Sequence, residues 1–337
     1  MREKVIEYAR LITINQWGVA SLTALFGALS AGEINFLPLF LLALIGVMAT
    51  IFSSVFNDYC DLELDKLSKG LTEKPLVKGS IPKRHALYIS IFAILIGYTI
   101  IVYSMYFDIF IMSIKPIIIA TLATILGALY DLYGKKFVGS DFLSSSAAAL
   151  FCLFGAMVVS ETISHLTIIV VSLVFLQIFY LNAFSGGLKD ADHDHLYGIK
   201  NLAYRMGVRV ENNRVTISKS FSFIVILFRI LSAVILFIPI VFLIDFPYYI
   251  WQPPLILLII IGIFLSTIKM VRIRVFDRNQ LRKMISVQEF LRFTVVPIML
   301  IGFIGIYIGL FLIIFPFIWF IIFNKLLYGS ALKPKRM

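Results

Sequence analysis

Residues 36–65 read FLPLFLLALIGVMATIFSSVFNDYCDLELD, an apolar stretch that ends in a run of acids. Its apolar part, residues 36–56, carries no charged side chain. About 20 apolar residues in a helix cross the roughly 30 Å hydrocarbon core of a bilayer. Similar stretches recur along the chain, so we predict an all-α polytopic membrane protein with nine spans. The spans are expected at about residues 11–31, 36–56, 86–106, 109–129, 142–160, 166–186, 221–244, 249–268 and 293–324, the last as one long helix kinked near Pro316.

The composition excludes other classes of protein. Of the 337 residues, 60% are hydrophobic and 15% are charged, and the mean hydropathy is +0.97. A soluble domain cannot bury such a surplus of apolar side chains, and a disordered chain would be more polar. The two cysteines, Cys60 and Cys152, do not suggest a disulfide framework. The net charge of +11 is typical of cytoplasmic loops in so apolar a chain, so no nucleic-acid partner is expected.

Positive charge predicts the orientation of the spans. If the amino terminus is cytoplasmic, 24 of the 30 lysines and arginines lie in loops on that side, and the opposite loops carry none. The tail, with Lys333 and Arg336, is the exception, because nine crossings would place it outside. We therefore predict an integral protein of the cell membrane whose long polar segments, residues 57–86 and 188–219, face the cytoplasm.

The first of these segments begins with an acidic cluster. If the helix continues past the bilayer, Asn57, Asp61 and Asp65 lie at positions i, i+4 and i+8 on one face, with Asp58 at its edge. Like charges at this spacing repel unless a cation neutralises them. Ligands that are all oxygen favour Mg²⁺ over zinc or copper. Taken singly, each of these residues is more often a helix cap than a metal ligand.

A second acidic cluster follows the sixth predicted span. Asp190 and Asp194 again have i, i+4 spacing. One acidic cluster thus lies in each half of the sequence, which hints at an old duplication of a four-helix unit. We therefore predict a single domain, residues 1–337, built from two related halves at about 1–135 and 136–325. An EF-hand is not favoured, because the loop glycine and the terminal glutamate are missing. Zinc bound by the two histidines of this stretch is also a weak reading, because a helix directs those side chains apart.

Basic residues accompany both clusters, among them Lys74, Lys189 and Lys200. Protein-bound Mg²⁺ often combines a few carboxylates with substrate phosphate oxygens. Acids with nearby lysines therefore suggest a diphosphate ligand that metal ions bridge to the protein, although most of these cations would serve membrane topology alone.

These residues resemble the UbiA-type intramembrane prenyltransferases. Residues 57–65 match the first motif of that family, NDxxDxxxD, and Asp190 and Asp194 match its second, DxxxD. Lys74, with Pro75 and Gly79, resembles the basic-Pro-x-x-x-Gly stretch that often follows the first motif.

The resemblance implies a site as well as a fold. It implies that two Mg²⁺ ions on the diphosphate are held by Asn57, Asp61, Asp190 and Asp194, with Asp58 and Asp65 assisting. Tyr130 and Lys135 would contact the diphosphate, although Lys136 is an equal candidate because the usual YxxxK spacing is not kept. Two further departures from the family pattern are found. Relatives often have Asp at the position of Gly187, and an Arg that is common near the start of the first span is replaced around Thr13.

The implied reaction is Mg²⁺-dependent transfer of a prenyl group from a polyprenyl diphosphate to a lipophilic acceptor. The acceptor would be an aromatic quinone precursor or an archaeal glyceryl phosphate ether lipid. A prenyl carbocation must be kept from water, so we expect a central cavity that opens to the membrane. Two alternatives are a secondary transporter, which would place acids near mid-bilayer, and a phosphatidyl-alcohol transferase, whose Gly and Ala-Arg elements are absent here.

Overall fold

Long apolar helices make up most of the chain that the structure describes. The computed structural model describes residues 2–67, 71–134, 136–194 and 201–330, with the backbone alone at residues 2, 193 and 194. The helices are α1 (Arg2–Leu11), a 3-10 turn (Ile14–Gln16), α2 (Trp17–Ala20), α3 (Leu22–Ser30), α4 (Phe36–Leu67), α5 (Lys83–Tyr106), α6 (Ile114–Tyr133), α7 (Asp141–Met157), α8 (His165–Phe179), a π-helix (Tyr180–Gly186), α9 (Gly187–Lys189), α10 (Ala191–Asp194), α11 (Leu202–Arg205), α12 (Lys219–Phe242), α13 (Gln252–Val271), α14 (Arg278–Ile304) and α15 (Ile306–Tyr328).

The all-α membrane fold is confirmed. Within the described ranges, eight helices are long and apolar enough to span a bilayer, and a bent pair, Glu3–Leu11 with Ile14–Ser30, raises the number to nine. Helix α7 is apolar but shorter. A small antiparallel hairpin, β1 (Arg209–Glu211) and β2 (Arg214–Thr216), is the strand structure found in these ranges.

The first span, predicted at about residues 11–31, is broken near its start. Thr13 has a left-handed backbone (φ 48°), and the segments on either side meet at 51°. A break in a membrane helix exposes carbonyl groups that need donors. Two indole N–H groups supply them: Trp17 donates to the carbonyl of Ile12 at 2.9 Å, and Trp319 to that of Ile14 at 2.7 Å.

The predicted final span, residues 293–324, was also wrong, because two helices occupy this part of the chain. Helix α14 begins at Arg278, inside the stretch that was assigned to a loop, and Gly305 (φ 88°) separates it from α15. A positive φ of this size favours glycine and ends the helix. Pro316, where a kink was expected, lies inside α15.

The chain divides into two compact units. One comprises residues 1–132, 150–164 and 311–337, and the other residues 133–149 and 165–310. In the first unit, α3 and the end of α7 approach so closely that a Cβ at Gly27 would lie 1.8 Å from the carbonyl oxygen of Cys152. Small residues commonly allow such helix contacts in membranes. The single domain, its related halves and the cavity stay predictions.

In the second unit, polar side chains are buried among apolar helices. Arg229 is 4% exposed; its guanidinium lies 3.4 Å from the ring centroid of Tyr180 and donates to Gln288 at 2.6 Å. Arg292 pairs with Glu289 at 3.1 Å. Such partners reduce the large cost of a charge at membrane depth. The Arg229 side chain, which the sequence placed inside a span, is therefore satisfied by neighbouring helices.

Candidate active site

The first acidic cluster lies on the last turns of α4. The helix continues without a break to Leu67, as the spacing predicted. Asn57 and Asp61 are half-buried, whereas Asp58 and Asp65 are only 7% and 5% exposed. A carboxylate buried to this degree needs a partner. The cluster thus contains two partly exposed oxygen donors, Asn57 and Asp61, and two buried acids, Asp58 and Asp65.

Lys74 is the partner of both buried acids. Its ammonium nitrogen lies 2.9 Å from Asp58 Oδ1 and 2.5 Å from Asp65 Oδ2. Burial lowers the pKa of Lys74, but the charges of Asp58 and Asp65 and the hydrogen bonds to them raise it more, so that the net shift is upward. Lys74 is therefore charged, and its ammonium group is paired with two carboxylates of α4. Its predicted contact with diphosphate, and the predicted metal contact of Asp65, stay predictions.

Asp131 was missed by the sequence analysis. It lies on α6, and its Oδ1 accepts a hydrogen bond from the Asn57 side-chain nitrogen at 3.1 Å. Because the amide nitrogen is engaged, the amide oxygen of Asn57 is turned away from Asp131 and is available as a ligand. Asp131 is the single acid of α6, one residue after Tyr130. That isolated carboxylate at the helix end was the available signal.

We expect Asp131→Ala to weaken Mg²⁺ binding by about 10- to 100-fold, the usual effect of removing a group that orients a metal ligand. The measurement is the Mg²⁺ concentration that half-saturates prenyl transfer. Asp131→Asn keeps an acceptor oxygen and should restore most of the affinity. Leu132→Ala, at the exposed neighbouring position, is the control. An unchanged Mg²⁺ requirement in Asp131→Ala would show that Asn57 needs no such orientation.

The second cluster follows the π-helix that ends the sixth span. The prediction of a continuing helix was wrong here, because Asp190 leaves helical geometry (φ −100°, ψ 5°) before α10 begins. The Asp190 side chain is 40% exposed and lies 3.4 Å from the Lys189 ammonium. Arg278, from the first turn of α14, lies 2.7 Å from Asp192 and 3.5 Å from Asp190. The arginine was not a predicted site residue.

The other predicted site residues are less fully described. Tyr130 is half-buried near the end of α6. Asp194 ends α10, and its side chain is not described, while Lys135 and Lys200 lie outside the described residues. The roles of all four stay predictions.

The donor set fits Mg²⁺ without a preformed cage. Among the described side chains, no three His, Cys, Asp or Glu residues are close enough to hold a metal by themselves. Mg²⁺ usually keeps several waters and is held by one or two carboxylates together with substrate phosphates. Asn57 and Asp61 in the first unit, and Asp190 in the second, are accessible oxygen donors of the required kind.

Comparisons with known proteins identify a family and several similar proteins. A model described as the UbiA prenyltransferase family matches residues 20–252. A digeranylgeranylglyceryl phosphate synthase from Saccharolobus solfataricus is 28% identical over 206 residues, which cover 60% of this chain and 69% of that protein. A solved structure concerned with digeranylgeranylglyceryl phosphate synthase in membranes has a TM-score of 0.65 at 19% identity, covering 90% of this chain and 99% of the other. A UbiA homolog from Archaeoglobus fulgidus, bound to DMAPP and Mg²⁺, has a TM-score of 0.60 at 17% identity, covering 86% and 99%.

Proposed function

This chain belongs to the UbiA prenyltransferase family, because the family match extends over more than half of it, and from that premise we propose which substrates its acidic clusters bind. The chain is an integral membrane prenyltransferase that uses a polyprenyl diphosphate and releases diphosphate. The observation that carries the proposal is the position of oxygen donors at the ends of two apolar spans, after residue 56 and after residue 186.

The proposed donor site binds the diphosphate through two Mg²⁺ ions. The ions would be held by Asn57 and Asp61 on α4 and by Asp190 and Asp194 after the π-helix. When bound, the ions stabilise the negative charge that develops on the leaving diphosphate. Lys189 is next to Asp190 and contacts phosphate oxygens directly. A transporter would need its acids near mid-span, whereas these follow the apolar part of each helix.

Residues of α4 and its partners hold the donor site in place before substrate arrives. Lys74 fixes α4 through Asp58 and Asp65, and Asp131 fixes the amide of Asn57. A group held in position before the reaction costs no reorganisation while the C–O bond to diphosphate breaks. The prenyl chain itself is apolar and remains among the spans, where water cannot quench the cation.

We propose a glyceryl phosphate ether lipid as the acceptor class. The support is the name of the Saccharolobus relative, a digeranylgeranylglyceryl phosphate synthase. In this reaction the acceptor hydroxyl oxygen bonds to the prenyl carbon that leaves the diphosphate, and the hydroxyl proton is released. An aromatic quinone precursor is the alternative acceptor.

The acidic clusters are proposed to face the cytoplasm. The support is the positive charge of the loops that follow them. If α7 also crosses the membrane, separate crossings by α14 and α15 return the tail to the side of the amino terminus. The basic residues of the tail, Lys333 and Arg336 among them, then no longer violate the charge rule.

The experiment is an acceptor panel with the purified protein in lipid nanodiscs. Labelled geranylgeranyl diphosphate is incubated with Mg²⁺ and either a geranylgeranylglyceryl phosphate or an aromatic acid, and both prenylated product and inorganic diphosphate are measured. We expect both products with the glyceryl phosphate and little with the aromatic acid. Transfer only to the aromatic acid would refute the acceptor proposal, and absence of diphosphate release with every acceptor would refute the donor proposal.

A further inference from the structure

Two arginines of α14 lie beside the second acidic cluster and are not explained by the proposed function. Arg278 contacts Asp192 and Asp190, and Arg282 lies one turn further along, within electrostatic range of both acids. Both arginines lie beyond residues 20–252, the part that the family model matches. They therefore belong to a part of this chain for which the family match predicts nothing.

Apolar packing holds these charged groups in place. Ala191, between Asp190 and Asp192, and Leu281, between the two arginines, are buried in the same hydrophobic cluster. Asp277 caps α14 by accepting hydrogen bonds from the backbone N–H groups of residues 279 and 280 at 2.8 and 3.1 Å. The start of the helix is thus fixed, and its first turn is held against the residues around Asp190.

The arginines are unfavourable for the helix alone. A cation in the first turn opposes the helix dipole, and like charges at i, i+4 repel. The Nε–H groups of Arg278 and Arg282 are buried, and neither has an acceptor in the described part of the chain. Among the side chains that the structure describes, Arg282 forms no ion pair within 4.0 Å.

Three cations therefore surround two described carboxylates. Lys189 and Arg278 pair with Asp190 and Asp192, and Arg282 adds a further positive charge close to the same two acids. An anion with several oxygen acceptors would supply partners for the unused Nε–H groups. Guanidinium groups match phosphate oxygens in geometry as well as in charge.

We propose that Arg278 and Arg282 bind the phosphate oxygens of the prenyl diphosphate and retain the released diphosphate, an inference that rests on the proposed function. Without substrate, Arg278 neutralises Asp190 and Asp192. With Mg²⁺ and diphosphate bound, Asp190 would serve as a metal ligand and Arg278 would donate to the phosphate oxygens instead. Arg282 meets the phosphate without giving up a carboxylate.

The two arginines should consequently respond differently to substitution. Arg282→Gln should weaken inorganic diphosphate binding, measured by calorimetry with saturating Mg²⁺, by about 10- to 100-fold, the range for losing a hydrogen bond to a charged group. It should leave the binding of Mg²⁺ alone unchanged. Arg278→Gln should weaken diphosphate binding similarly but tighten the binding of Mg²⁺ alone, because two carboxylates lose a competing cation.

Lys283→Gln is the matched control, because Lys283 is an exposed cation on the same helix and should bind diphosphate as the parent protein does. Arg278→Lys is made in parallel, since it keeps the positive charge beside Asp190 and Asp192 but cannot form a bidentate contact with phosphate. It should also bind diphosphate more weakly, so it decides the matter if Arg278→Gln does not fold.

Diphosphate affinities equal to that of the parent protein in the arginine variants would overturn this inference alone. A parent protein that binds no diphosphate in the presence of Mg²⁺ would instead overturn the proposed function. A weaker affinity in Lys283→Gln as large as in Arg282→Gln would show a general charge effect, and would also count against specific contacts by the arginines.

Discussion

Asp61→Ala is expected to lower the rate of prenyl transfer by about 10³-fold, equivalent to ~4 kcal/mol of transition-state stabilisation. The reason is that Asp61 is the accessible carboxylate of the α4 cluster, one turn after Asn57, while the neighbouring acids are engaged by Lys74. The measurement is diphosphate release at saturating donor across a range of Mg²⁺ concentrations.

Glu63→Ala is the matched control for this prediction. Glu63 lies two residues later on the same helix, its side chain is 74% exposed, and it forms a surface ion pair with Lys66 at 3.0 Å. Exposed pairs of this kind contribute little to stability. Both variants should insert and unfold like the parent protein. Near-normal turnover in Asp61→Ala would remove Asp61 from the metal site, and an equal loss in Glu63→Ala would indicate a nonspecific effect of charge.

The acidic cluster of α4 could be predicted because its information is local. A single run of sequence gives both the apolar span and the i, i+4 pattern, and the helix follows it to Leu67. The end of the chain could not be predicted in this way. The first turns of α14 expose polar side chains, including Asn279 and Lys283, so their composition is that of a loop. Hydropathy alone also does not locate a break such as Gly305.

Contacts between distant residues account for what was missed in the candidate site. Asp131 meets Asn57 across 74 positions, and Arg278 meets Asp192 across 86. No periodicity in one segment encodes such a pair. For Lys74 the sequence predicted proximity to the first motif but not the partner. A lysine beside acids suits a phosphate as well as an ion pair, and the burial of Asp58 and Asp65, which favours the ion pair, cannot be read from the sequence.

The second large effect is expected for Lys74→Met, which should lower the free energy of unfolding by about 3–5 kcal/mol. The substitution leaves two buried carboxylates, Asp58 and Asp65, without the ammonium that lies 2.9 and 2.5 Å away. Lys78→Met, at an exposed position of the same connection, is the control and should change stability little. The measurement is unfolding in mixed micelles, alongside the KM for the prenyl diphosphate.

The pH dependence and the kinetics separate an ion pair from a phosphate contact. The pKa of Lys74 is raised in the folded protein, so the stability it contributes is complete below the ordinary lysine pKa and is lost as the pH rises through the higher folded value. The stability difference between the parent protein and Lys74→Met should therefore be constant between neutral and mildly alkaline pH. If Lys74 instead binds diphosphate, Lys74→Met will unfold like the parent protein and show only a higher KM, because the carboxylates would then have other means of neutralisation.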